Sequence, residues 1–367
     1  VPYLTALLAV VIRDLRISAR RPDLVVQAVA VPIVVFGLAS IMFGATDAWP
    51  AALTDNSRTA QSQQVTDALR DTRGAAGPYF NLGAIDPAHA GGVVEAGRAH
   101  LAVTVPSDFA TERTLQVRTF NINTDTMKNV RLRLVTAANL YDRRLGLQQV
   151  TATIAKARPD DVSRTAFMGG GAILLALLLG SCLITANLFA MEQELRSTRE
   201  FVLTPLGASA GALGAALAGL GLAALAAVPT ALLAYGFGFR TDVASAARAA
   251  VITLPAMIAA AGVGAIAAQR LRTHRAIQPA VIMMALATYF AAGGFIPVPG
   301  LPPAARAFAA WWPPSYIFEW TSPLLHNFSR TVTVPMLLAA LGAATVGIVL
   351  AWVAGWREQT RMASNGQ

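Results

Sequence analysis

Met191–Ser209 reads MEQELRSTREFVLTPLGAS, a short charged interruption with a long apolar run on either side. Its charges are Glu192, Glu194, Arg196, Arg199 and Glu200. Glu192 with Arg196, and Arg196 with Glu200, stand four residues apart, the spacing at which opposite charges meet on a helix surface. Leu195, Phe201, Val202 and Leu203 supply an apolar side, and Thr204-Pro205 stops the helix. The stretch therefore predicts a short amphipathic helix at a membrane surface, joining two spans and presented to a partner outside this chain.

The composition agrees with a chain that repeatedly crosses a bilayer. Of 367 residues, 55% are hydrophobic and 13% are charged, against about a quarter charged in soluble domains. The formal charge of +9 does not indicate a nucleic-acid partner. Many arginines flank apolar runs, where the bias of cytoplasmic loops toward Lys and Arg accounts for them. Cys182 is the single cysteine, so no internal disulfide can form. The first long apolar run can itself direct insertion, so no cleaved signal is needed.

Working outward gives a polytopic α-helical membrane protein with six transmembrane helices. Residues 1–21 predict a cytoplasmic interfacial helix, with Leu4, Leu7, Leu8, Val11, Ile12, Leu15 and Ile17 mostly on one face. Residues 22–44 form the first span, 167–190 the second, 191–207 the cytoplasmic coupling segment, and 208–367 the remaining four. Those four run over about 210–237, 249–268, 277–295 and 334–356, close to the roughly 20 apolar residues a bilayer requires. Residues 297–331, rich in Pro and Trp, are too broken to span and predict a re-entrant or interfacial segment.

Residues 45–166 differ in character and predict a small extracellular α/β domain between spans 1 and 2. AALTDN, YFNLGAI, HLAVTVP and TLQVRTFNIN read as strands. Thr59–Arg73, Pro87–Ala99 and Thr126–Lys156 read as helices. Arg13, Arg16, Arg20, Arg21, Arg196, Arg199, Arg270, Arg272, Arg275, Arg357 and Arg361 fall on one side of the six-span arrangement. That asymmetry places both termini and the charged stretch in the cytoplasm.

No ionisable residue lies well inside any predicted span, which argues against coupling to a proton or sodium gradient. Nor does the chain carry GxxxxGK[ST]: its lysines are Lys128 and Lys156, both in the external domain. If it moves a solute uphill, a separate chain supplies the work. The sequence therefore predicts no enzyme activity and no cofactor in this chain.

MEQELRSTREFVLTPLGAS resembles the acidic, arginine-containing segment ending in a Ser/Thr-Pro step that follows the second span in type-2 ABC-exporter permeases. GGFIPVPGLPPAARAFAAWWPPSYIFEW is similar to the same family's Gly-Phe, Pro, Leu-Pro and Pro-x-x-Tyr pattern. The N-terminal helix and the large insert with its AVTVPSDFA segment fit the branch with an extended external domain. Family members usually carry glycine between the arginine and the threonine of the first motif, where this chain has Arg196-Ser197-Thr198. The resemblance implies a multi-pass permease in a bacterial plasma membrane. It implies a second permease, as homodimer or heterodimer, and two copies of an ATP-binding subunit that holds ATP and Mg. It also implies that Glu192, Glu194, Arg196, Arg199 and Glu200 couple to that subunit.

Polar residues in the spans, Thr185, Asn187, Tyr235, Gln278 and Tyr289 in particular, either line a substrate path or bond one helix to another. Trp311, Trp312, Tyr316 and Trp320 form an outer gate or an interfacial anchor. GASAG, Gly207–Gly211, matches GxSxG but lacks the strand that a nucleophile elbow needs before it. His89, His100, His274 and His326 have no metal-ligand spacing. The expected cargo of an exporter of this kind is amphiphilic: a drug or antibiotic, a lipid or a glycoconjugate. A non-transporting membrane receptor using the external domain is the alternative, and it would not need the charged stretch.

Overall fold

The computed structural model describes residues 2–43, 48–74, 77–84, 93–94, 99, 101–119, 124–146, 162–195, 207–298, 301, 303–328 and 331–365. The chain divides into two compact units, residues 44–161 and the remainder.

In the smaller unit, β1 (Trp49–Asp55), β2 (Phe80–Ala84), β3 (Leu101–Val105) and β4 (Gln116–Thr119) form one sheet in the order β2-β1-β3-β4. β1 runs parallel to β2 and β3, and β4 is antiparallel to β3. Between β1 and β2, α3 (Ala60–Asp71) starts at a capping box in which Thr59 and Ser62 satisfy each other's backbone N–H groups. Leu53, Leu101, Val103 and Val105 join Val65 and Leu69 of α3 in the core, with Phe80, Phe109 and Tyr141. The opposite face buries Ala52 and Ala102 against Val94. Both faces are covered, which is why β1 and β3 are apolar without strict alternation.

Each predicted strand overlaps an observed one, and β1 begins two residues before AALTDN. The helix expected over Pro87–Ala99 lies mostly outside the described residues. The helix expected over Thr126–Lys156 is shorter: α4 spans Thr124–Arg144, and Gly146 at φ +75° turns the chain. Residues 147–161 lie outside the described residues. Arg133 of α4 lies over the rings of Trp49 and Tyr79, 4.5 and 5.0 Å from their centroids, and donates to the Tyr79 carbonyl at 2.7 Å.

The larger unit is helical. It comprises α1 (Pro2–Arg20), α2 (Val26–Phe43), α5 (Arg164–Glu194), α6 (Gly207–Gly236), α7 (Val243–Leu271) and α8 (His274–Ala291). α9 (Pro303–Trp311), α10 (Pro313–Leu325) and α11 (Val334–Asn365) complete it. α5 is the central helix, buried along most of its length and packed against α2, α6, α7, α8 and α10. Small residues permit that closeness. A side chain on Gly264 of α7 would run into the Cys182 backbone of α5. A side chain on Gly262 of α7 would meet the Gly347 backbone of α11, and one on Gly347 the backbone of Ile258 and Ala259 of α7.

Among the described residues, four helices are long and apolar enough to cross a bilayer: α5, Ser209–Gly236, α7 and Val334–Met362, with mean hydropathy 2.0 to 2.3. Val26–Met42 of α2 is apolar but shorter. The expectation of six equivalent spans is thus met in part, for two local reasons. The first span, expected from residue 22, opens with a 3-10 turn at Pro22–Leu24 before α2 begins. The fifth, expected to reach 295, ends at Ala291, because Gly293 adopts φ +100° and Gly294 and Phe295 donate back to the Tyr289 carbonyl. The eighteen residues of α8 rise about 27 Å, just under the roughly 30 Å hydrocarbon thickness. In the broken stretch 297–331, α9 and α10 are separated at Trp312, and Pro313 opens α10.

α1 packs on α6 along one edge of the apolar face read in the sequence, through Leu7, Val11 and Ile17. Val10, Asp14 and Ser18 are buried, with Val10 filling the space beside Gly214. The other edge of that face, Leu4, Leu8, Ile12 and Leu15, is left exposed.

Candidate functional site

The charged stretch begins inside α5, not in a helix of its own. Met191–Glu194 form the last turn of α5, and Leu195 closes it by donating to the Met191 carbonyl. Arg196, Arg199 and Glu200 lie outside the described residues. Glu192 is directed into the protein, only 3% exposed, and its Oε1 accepts from Arg13 Nη2 of α1. Arg13 also donates to Asp14 Oδ1, through Nη2 at 2.7 Å and Nε at 3.0 Å. One guanidinium therefore joins two buried carboxylates on two helices, a charge-assisted arrangement stronger than neutral hydrogen bonds. Burial raises the Asp14 carboxyl above its usual value, with Arg13 pulling the other way.

Glu194 serves α8. It accepts from the His274 backbone N–H at 3.2 Å and lies 3.1 Å from His274 Nδ1. A carboxylate at the first residue of a helix meets both an unpaired N–H and the positive end of the helix dipole. At the same end of the bundle, buried Glu358 of α11 accepts from Arg361 at 2.6 Å, and Gln359 lies against Gly207 where α6 begins. The end of α5 thus meets polar groups of α1 and α8, and the start of α6 meets one of α11. Arg13 and Asp14 were missed as site residues. Their signal is an adjacent charged pair in a helix otherwise striped with apolar residues.

The polar residues proposed for a substrate path are not brought together. Thr185 is buried against Gly219, between α5 and α6. Asn187 Nδ2 donates to the Leu24 carbonyl at 2.8 Å, and Gln27 Nε2 donates to Gln278 Oε1 at 3.1 Å. Tyr235 is partly exposed beneath Arg240, 4.6 Å from its ring centroid. Tyr289 is fully buried among Phe290, Phe295 and Phe318. Apart from Tyr235, each sits at a contact between helices.

The four aromatic gate residues divide. Trp311 is 88% exposed. Trp312, Tyr316 and Trp320 instead border an apolar cavity of about 580 Å³ between α5, α7, α8, α10 and α11. Trp312 Nε1 donates to Thr288 Oγ1 at 3.1 Å, Thr288 donates to the Met284 carbonyl at 2.8 Å, and Tyr316 Oη donates to the Ala310 carbonyl at 2.9 Å. GASAG lies in the first turns of α6, so Ser209 is helical and not at an elbow. Among the described residues no His, Cys, Asp and Glu cluster could hold a metal ion.

Compared with known proteins, the chain matches the family described as ABC-2 type transporter over residues 129–325, more than half its length. No curated protein and no solved structure matches it. The matched region runs from α4 through α10 and includes the charged stretch, the central helix α5 and most of the cavity walls. With several apolar helices of spanning length around α5, this chain is a multi-pass membrane protein that belongs to the ABC-2 type transporter family.

Proposed function

We propose that the chain is the permease subunit of a bacterial exporter driven by a separate ATP-binding subunit. The observation that carries this reading is the polar cluster at the end of α5, where Glu192 and Glu194 tie α1 and α8 to the origin of the charged loop. A push on that loop reaches an interfacial helix and a cavity-lining helix through direct polar contacts. In this reading Arg196, Arg199 and Glu200 touch the ATP-binding subunit. Glu192 and Glu194 pass its movement inward.

The complex contains two ATP-binding subunits, which hold ATP and Mg, and a second permease, identical or paralogous. It resides in the bacterial plasma membrane with both termini and residues 191–207 in the cytoplasm. Residues 45–166 form the extracellular α/β domain. The cargo is amphiphilic and leaves the cytoplasm or the inner leaflet. Support comes from family membership and from arginines clustered beside the helix ends that meet the charged loop.

Reversing Arg196, Arg199 and Glu200 together tests the contact. In membranes that hold both chains, the triple variant is expected to lose the ATP-binding subunit and, with it, coupling between ATP hydrolysis and cargo movement. Unaltered coupling would remove this loop from the interface.

A further inference from the structure

We propose that the 580 Å³ cavity is a binding site for the alkyl chain of an amphiphile resident in the bilayer, entering sideways between the helices. Three observations carry the inference. The first is its origin. Ala256 and Ala260 of α7, Ala285 of α8, and Ala340 and Ala343 of α11 line the space, and a larger side chain at any of them would intrude on it. Elsewhere α7 and α11 approach as closely as backbones allow, at Gly262 and Gly347. The space is therefore not a failure of these helices to meet. Its size lies within the roughly 300–1,000 Å³ of small-molecule sites.

The second is its chemistry. An apolar cavity excludes water unless polar groups supply partners for it. The hydroxyl of Thr288, the indole N–H of Trp312 and the hydroxyl of Tyr316 are all engaged within the protein. The remaining lining is overwhelmingly aliphatic. A dry void of this size forfeits dispersion contacts along every wall. Hydrocarbon restores those contacts without demanding a hydrogen bond.

The third is access. Val346 is 55% exposed at the cavity margin, and Met284 and Val263 are exposed with it. The opening is thus bordered by apolar side chains, the border a lipid tail can cross and an ion cannot. Trp312, Tyr316 and Trp320 collect on α10 and at its start, where amphipathic rings suit the region near a headgroup. The site deepens the proposed function, on which it rests for the role of cargo, by specifying a chain-bearing amphiphile.

The test uses the full chain in nanodiscs of phosphatidylcholine doped with phosphatidylcholine carrying a diazirine at mid-chain, irradiated and mapped by mass spectrometry. Adducts are expected to concentrate on α7, α8 and α11 at the cavity. They should be lost in Ala260→Phe and in Ala343→Phe, which fill the space from different helices. Leu338→Phe, on the exposed face of α11, should keep them. If one filling variant does not fold, the other decides. Adducts spread evenly over the exposed faces, or unchanged by filling, would overturn the site. Co-purification of an ATP-binding subunit, scored on the same wild-type preparation, reads the permease proposal independently of the labelling.

Discussion

Replacing Arg13 with alanine should release α1 from the bundle. Arg13 bonds Asp14 at 2.7 Å and also bonds Glu192, and these carboxylates are 1% and 3% exposed. Removing one partner from a buried ion pair costs about 3–5 kcal/mol, chiefly because a buried charge is left uncompensated. The Arg13 side chain is itself 33% exposed, so solvent screens part of the interaction and the lower figure of about 2–3 kcal/mol applies. Because α1 packs mainly on α6, the cost should appear as local undocking. Amide hydrogen exchange in nanodiscs should then speed up in α1 by roughly 30- to 150-fold, with the middle of α5 unchanged. Combining the change with Glu192→Gln should be less damaging than the sum of the two, with a coupling of at least about 1 kcal/mol. Strictly additive effects, or unaltered exchange in α1, would refute the role given to this contact.

Asp14→Asn should act in the opposite direction and depend on pH. Burial raises the Asp14 carboxyl, so its contribution to docking is full below the ordinary aspartate value and is lost as pH rises through the raised one. Above that raised value the variant should therefore hold α1 more firmly than wild type, and acidification below it should erase the difference in exchange rate. Glu194→Ala should loosen the start of α8 by about 1–2 kcal/mol, since it removes acceptors from the His274 N–H and ring; faster exchange confined to the first turn of α8 would register this. Gly264→Ala should lower the thermal midpoint in detergent, because the added methyl meets the Cys182 backbone and overpacking costs about 1–3 kcal/mol. Gly342→Ala, with open space around it, should not. Arg133→Ala should destabilise the α/β unit by about 1–2 kcal/mol, through loss of stacking on Trp49 and Tyr79 and of one hydrogen bond, measured as exchange in β1 and β2.

What was legible in the sequence follows from which forces act locally. Apolar runs and turn residues marked the long helices and the four-stranded sheet, because hydropathy and strand patterning are properties of a segment alone. α3 was expected from Thr59, and the capping box found there needs only its own turn. The end of α8 was misplaced because Gly293 stops a helix by its conformation while the apolar run continues past it. The inward turn of Glu192 was hidden for another reason. Its i,i+4 spacing to Arg196 offers a local partner, and only the tertiary approach of α1 brings in Arg13, far away in sequence. The cavity was illegible because alanines at a tight contact and alanines around a space look the same until the opposing helix is placed.

The most direct test of the account is purification of the chain from its native membrane under mild conditions, with quantitative mass spectrometry of what accompanies it. An ATP-binding subunit present in equal amount, and lost when Arg196, Arg199 and Glu200 are reversed in charge, is the predicted result. A chain that purifies without any ATP-binding protein, in conditions that preserve other transporter complexes of the same membrane, would contradict it.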